Sequence, residues 1–572
     1  FTIAATKTLT INTGEPVFNQ NGGTLAINGS YTHDGTGAGV RGTLNLNGGT
    51  VAGTGPVSMT WGTLNVGIAS ALTPSFRLIH GNLNLGPAAT GAAGFTMTGV
   101  GVLSGNIAAG QTVWVQPSAD GSHTTVTAAT GFTNAGTLRL ESLEVNYDAT
   151  LVVTSGTLTN TPTGILNFNL GNGGNRTFRG NLDNQGTVNV NQNTFISGNV
   201  NNQGTLNQNV SLTLNKLNGV HGNSGTWTVA AAKTLTVTNG LPAFTQSGGT
   251  LAINGSYYQD MGSFNFLGGA IMGTPLLVNT GLNITSTGAA SFTVAGAVAF
   301  TGNIASGQTV WVQGGGGSQH TTVTAANGFI NAGVIKLESI LTGYQSNLTV
   351  TNGTLTNTGT MLVNQGTGGT PRTITANLNN QGTISINADT TFFKTSGSYT
   401  NNGDLTIATG KTLTISGSSQ VFTQAGGTLT VAGTFSGSSI TFNLSGGAVS
   451  GTPLLVNSVL SLGGGGFGTV ILAGTSTLSG DVAAGQTVWV HGGGASQHTT
   501  VTAANGFINA GTIKLESIVT GYMSNLTVTS GTLTNTGTIL VNQGTGGART
   551  ISADFNNQGT FNINADTTFS KA

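Results

Sequence analysis

Along most of the chain apolar and polar residues alternate, as in "TLTIN" at Thr8, "TLRL" at Thr137 and "TISIN" at Thr383. A period of two places alternate side chains on opposite faces of an extended strand. The runs are short and are separated by Gly, Asn or Asp, the residues that turn a chain where φ must be positive. No stretch sets apolar residues at helical spacing between caps, and "AAAKTLTV" at Ala230 is short and passes straight into alternation. The pattern predicts an all-β protein.

The alternating runs follow a beat, an Asn-x-Gly-Thr turn and then strand: "NAGTLRL" at Asn134, "NQGTVNV" at Asn184, "NQGTLNQ" at Asn202 and "NSGTWTV" at Asn223. The glycines Gly136, Gly186, Gly204 and Gly225 of these turns, with Gly156 in "TSGTLTN", mostly lie about 18 to 30 residues apart and cluster near 20, as solenoid coils do. A coil of about 20 residues made of strands cannot bury its apolar face alone, whereas stacked coils can, each strand pairing with the same strand one coil away. Inward aliphatic residues then line up with their own kind, and turn asparagines stack into hydrogen-bonded ladders. The expected fold is a single parallel β-helix (β-solenoid) of about 20-residue coils; at ~4.8 Å per coil, about 28 coils make a rod roughly 130 Å long.

A longer repeat lies over this beat. "FTIAATKTLTI" at Phe1, "WTVAAAKTLTV" at Trp227 and "LTIATGKTLTI" at Leu405 are one opening used three times. The stretch from Asn327 to Gly369 returns nearly unchanged from Asn505 to Gly547. The sequence divides into three imperfect long repeats, residues 1–226 with extra coils or loops, 227–404, and an incomplete 405–572, expected to form one continuous stack. An active site is usually needed once, whereas a spacer or filament needs the same unit many times. Both ends of the sequence read as cuts through an ongoing stack, so the expected partner is flanking chain or another copy of itself, joined end to end.

The Asn-x-Gly-Thr-Leu beat, the enrichment in Thr, Asn and Gly and the lack of Cys resemble the parallel β-helix passengers of bacterial autotransporters and the repeats of filamentous-haemagglutinin-like adhesins. The resemblance covers essentially the whole chain. It implies export to the bacterial cell surface and an adhesive, spacer or fibrous role, with surface glycans or another cell as the target.

Composition narrows the chemistry. Charged residues are 5% of the chain, 15 basic against 15 acidic, so no net field draws in nucleic acid or an anionic membrane. With Cys 0 there are no disulfides, thiolate metal sites or cysteine catalysis. Gly is 94 but shows no period of three, which excludes collagen. No apolar run approaches the ~20 residues of a membrane span, so no membrane insertion is expected in this segment.

β-Helices also carry polysaccharide lyases and glycosidases, so a polysaccharide-acting enzyme is the alternative function. Glycoside cleavage generally needs two carboxyl groups about 5–9 Å apart. The best pair one coil apart is Asp120 with Glu141; Glu141 recurs as Glu338 and Glu516, but Asp120 is replaced by Gly317 and Ala495. No catalytic, metal or cofactor site is expected. Arg139/Glu141, Lys336/Glu338 and Lys514/Glu516 read as exposed ion-pair neighbours. A Thr-rich ice-binding face is disfavoured, because Thr-x-Thr falls in different strands.

The aromatic residues are the candidate contact points. In "QTVWV" the two valines share a face, leaving Trp114, Trp311 and Trp489 on the other. His123, His320 and His498 follow, the last two after a glycine-rich segment, and Tyr147, Tyr344 and Tyr522 come a coil or two later. These nine are candidate surface or partner contacts; a glycine-rich loop folded over the indole is the competing expectation for the tryptophans.

Overall fold

A computed structural model of the protein describes residues 1–12, 14–34, 41–117, 122–417 and 419–571. It is 62% strand and 1% helix, a parallel β-solenoid with coils of roughly 22 residues. The chain forms two compact units, Phe1–Ser286 and Thr287–Ala572.

The second unit shows the design plainly. Strands Thr383–Asn387, Thr390–Phe392 and Ser398–Asn401 make one coil. The next coil pairs with it in parallel through Asp404–Ile407, Thr412–Ser416 and Val421–Gln424. Register places Ile335, Met361, Ile384, Leu405 and Leu429 in one column, each no more than 2% exposed. In the first unit the corresponding column is Leu138, Leu166, Val188, Leu206, Trp227 and Leu251, all buried. A one-residue slip would turn every such column to solvent, so the alternation itself fixes the register.

Coil length varies while the strands stay aligned. Thr187 pairs with Thr205 in a short coil, whereas Thr137 pairs with the more distant Ile165. The difference is absorbed in loops.

The Asn-x-Gly-Thr turns carry buried amide ladders. In the second unit Asn331 donates from Nδ2 to Oδ1 of Asn357, Asn357 to Asn380 and Asn380 to Asn401, at 2.7–2.8 Å. Asn401 completes the run by donating to Gln424 Oε1 at 2.9 Å. Each asparagine also donates to a backbone carbonyl of the next coil, as Asn380 does to Asp404 O at 3.1 Å. Asn134, Asn160, Asn184, Asn202 and Asn223 build the same ladder in the first unit, ending on Gln246. Each ladder starts where the coil below offers an aliphatic residue: Ile107 beneath Asn134, Ile304 beneath Asn331 and Val482 beneath Asn509. The Oδ1 atoms of those three first asparagines are buried without a donor, a cost of about 1–3 kcal/mol each.

Candidate functional site

One corner of the coil, repeated three times, gathers most of the chain's unusual side chains. In the second repeat it is built by strands Gln308–Gly314, Val334–Ser339 and Thr360–Gly366 and the loops that follow them. Val310 and Val312 are buried, so Trp311 between them lies on the outward side, half-buried. Parallel register puts Lys336 beside Trp311. Its ammonium stands 4.1 Å from the indole centroid and 2.9 Å from Glu338. Asn364, one coil on, donates to the same carboxylate at 2.9 Å.

The other repeats match it. Arg139 lies 4.2 Å over Trp114 and 2.7 Å from Glu141, which also accepts from Asn169 at 2.6 Å. Lys514 lies 3.7 Å over Trp489 and 2.8 Å from Glu516, which accepts from Asn542 at 3.0 Å. The expectation of freely exposed ion-pair neighbours is corrected: the side chains of Lys336 and Glu338 are only 27% and 18% exposed. The indole walls off one side of the ammonium, so the cluster combines a cation–π contact with an ion pair. Burial pushes the Glu516 carboxyl up, but hydrogen bonds from Lys514 and Asn542 and the charges of Lys514 and His491 outweigh it, holding the group below the usual carboxylate range. Trp114 Nε1 donates to Glu141 O at 3.2 Å, whereas Nε1 of Trp311 and of Trp489 is buried without an acceptor.

The histidines and tyrosines meet at the rim of the same corner. His123 and Tyr147, His320 and Tyr344, and His498 and Tyr522 have ring centroids 5.5, 5.4 and 5.3 Å apart. Each imidazole accepts a backbone N–H from the next coil at Nδ1, from Asp148, Gln345 and Met523. All three histidines are exposed or partly so, and the tyrosines are half-buried.

What covers Trp311 is the cation of the next coil. The glycine-rich segment packs elsewhere: Gly315, at φ 85°, opens a single 3₁₀ turn, Gly316–Ser318. A Cβ there would lie 2.8 Å from that of Leu341, so only glycine lets turn and loop approach so closely. Beyond the contact Ile340 and Leu341 stay partly exposed, as do Ile518 and Val519 in the third repeat and Leu143 and Val145 in the first.

The loops beneath this crest enclose a residue that strand alternation does not single out. Arg372 is fully buried and donates to the carbonyl oxygens of Asn364, Gln365 and Thr370. Arg176 and Arg549 are buried in the same way, each under carbonyls of its own loop. Burial pulls the pKa of Arg372 down, and the nearby Glu338 charge partly restores it. The signal was present in "GNGGNR", "GTGGTPR" and "GTGGAR": a chain with few charges keeps one cation at the same place three times.

Asp120, the alternative catalytic partner of Glu141, lies outside the described residues. Glu141 itself is held by Arg139 and Asn169. Among the described residues no helix is long and apolar enough to cross a membrane. No protein family, curated protein or solved structure matches this chain. The corner can hold loops in place and present Leu341, Tyr344 and their counterparts outward.

Proposed function

We propose that this chain is an extracellular structural or adhesive β-solenoid, a segment of a stalk, fibre or filament at a bacterial cell surface, and that it is not an enzyme. The observation that carries the reading is repetition of the corner itself. Its Trp, cation, Glu and Asn recur three times with their partners inside the corner, and each Glu is engaged by a cation and an amide. A catalytic carboxylate needs access to a substrate proton; these serve the fold. The low charge, the absence of Cys and the beat of the coils support kinship in kind with autotransporter passengers and filamentous-haemagglutinin-like adhesins.

The partner in this reading is another coil, from flanking chain or a second copy, stacked end to end. Within the stack Ile386 and Phe392 are fully buried against Ile407 and Ile415 of the next coil, and the strand edge of any coil is a template for such pairing. Electron microscopy of native material should show uniform thin rods or fibres. Discrete particles with both terminal coils covered by a helix or folded-back loop would contradict the proposal. So would depolymerisation of a polysaccharide that Asp120→Asn with Glu141→Gln abolishes.

A further inference from the structure

Between its bend and its lysine the first repeat passes one coil more than the second, and that coil opens a groove the second repeat closes. In the second repeat Lys394 reaches back to the bend in strand Ser346–Asn357, where register with the next coil breaks. There it donates to the carbonyl oxygens of Val350 and Thr351 at 2.8 and 3.0 Å. The matching lysine in the first repeat is Lys216, and the matching bend is Val153–Thr154 within strand Ala149–Asn160. From bend to lysine the second repeat passes two ladder asparagines, Asn357 and Asn380. The first passes three: Asn160, Asn184 and Asn202. Lys216 is therefore displaced by one strand spacing, ~4.8 Å.

The space left behind is a concavity of about 380 Å³ over the bend, lined by Ser155, Arg179, Asn181, Ser197 and Lys216 among others. Arg179 has no cationic counterpart; Thr375 and Ser552 take its place in the other repeats. Among the described residues neither Arg179 nor Lys216 stands within ion-pair distance of a carboxylate. At Asn181 the concavity runs into a second, of about 460 Å³, lined by Asp183, Asn199, Asn201 and Gln203. Asp183 accepts from Asn201 and Gln203, each at 2.7 Å, and so fixes both amides side by side. Each amide keeps its carbonyl oxygen and second N–H for another partner.

Two unpaired cations at one end and a row of oriented amides along the rest match a chain bearing both anionic groups and hydroxyls. We propose that this groove binds a segment of an anionic polysaccharide. Arg179 and Lys216 take its carboxylate or sulfate groups, and Asn181, Asn201 and Gln203 its hydroxyls. Because formal net charge is +0, the attraction is local to the groove. The site stands whether or not the coils assemble into fibres.

Calorimetric titration of the whole chain at low ionic strength tests this, with oligogalacturonate, dextran sulfate and neutral dextran as probes. At least one anionic probe should bind, and which one identifies the anionic group; neutral dextran should not. Arg179→Thr with Lys216→Gln, checked for unchanged circular dichroism, should weaken binding about tenfold or more. A charge-matched control, Lys7→Gln with Lys233→Gln, should leave it unchanged. Should the double variant misfold, Arg179→Thr alone, at an exposed position, carries the same expectation of weaker binding. Absence of binding to both polyanions, equal binding of neutral dextran, or a folded groove variant as tight as the parent would overturn the proposal.

Discussion

Two corners of the same coil solve the problem of buried polar groups in different ways. At the Asn-x-Gly-Thr corner each amide inside a ladder is satisfied by the coil above and the coil below, so no inner rung is complete without its neighbours. At the loop corner Arg372 is satisfied by carbonyls of its own loop, close to it in the chain. The first arrangement couples coils along the stack; the second fastens one loop locally. The sequences of the repeats reflect this. The ladder keeps Asn from rung to rung until Gln246 or Gln424 ends it, while the crest exchanges Leu341 for Val519 and Gln345 for Met523.

The largest effect should come from breaking a ladder in its middle. Asn380→Ala removes the acceptor for Asn357 and the donor to Asn401 and Asp404 O. It should cost about 4 kcal/mol, with loss of amide hydrogen-exchange protection in the coils on both sides. Acid should also weaken the first unit. Burial lowers the His221 pKa to about 4 from its ordinary 6.5, so the unfolded chain binds a proton at higher pH than the folded one. The stability this group contributes is complete above about pH 6.5 and falls as pH drops toward 4, by about 3 kcal/mol in total. His221→Gln should flatten that part of the urea-midpoint profile.

A smaller, confined effect is expected from Arg372→Ala, about 2–3 kcal/mol. Protection should be lost between residues 364 and 371 and kept in the ladder, whereas loss spreading through the ladder would erase the contrast between the two corners. Lys336→Met should matter least. Its ammonium is partly solvated, so losing the indole contact and the ion pair together should cost about 1 kcal/mol, read from the urea midpoint.

Much of this was legible in the alternation. Strand-length runs of "TLTV" type, turn asparagines and a short regular beat lead to a stacked parallel sheet, because no other arrangement buries one face of such short strands. The ladder was legible for the same reason: Asn recurs at a position where identical turns must lie on one another. The loop corner was less so. Pairing Lys336 with Glu338 on the same strand was simple, but its seat on Trp311 depends on a strand one coil away, set by a loop length that alternation does not encode. Arg372 was hidden because an arginine beside glycines looks like a solvated loop residue until the loop closes over it. The groove at Arg179 needed the structure, since it arises from one extra coil between a bend and a lysine.

Register-true stacking of coils is the claim on which the rest depends, and the lack of native Cys makes it directly measurable with paired spin labels. Val334, Thr360, Thr383, Asp404, Thr428 and Ala448 occupy one outward column in successive coils. Labels at Thr360 and Ala448, four coils apart, should lie about 19 Å apart, and labels at Val334 and Ala448, five coils apart, about 24 Å. An increase of one strand spacing for the one added coil is the predicted result. A separation that stays constant, or grows by much more than that when the label moves from Thr360 to Val334, would contradict the stacked solenoid.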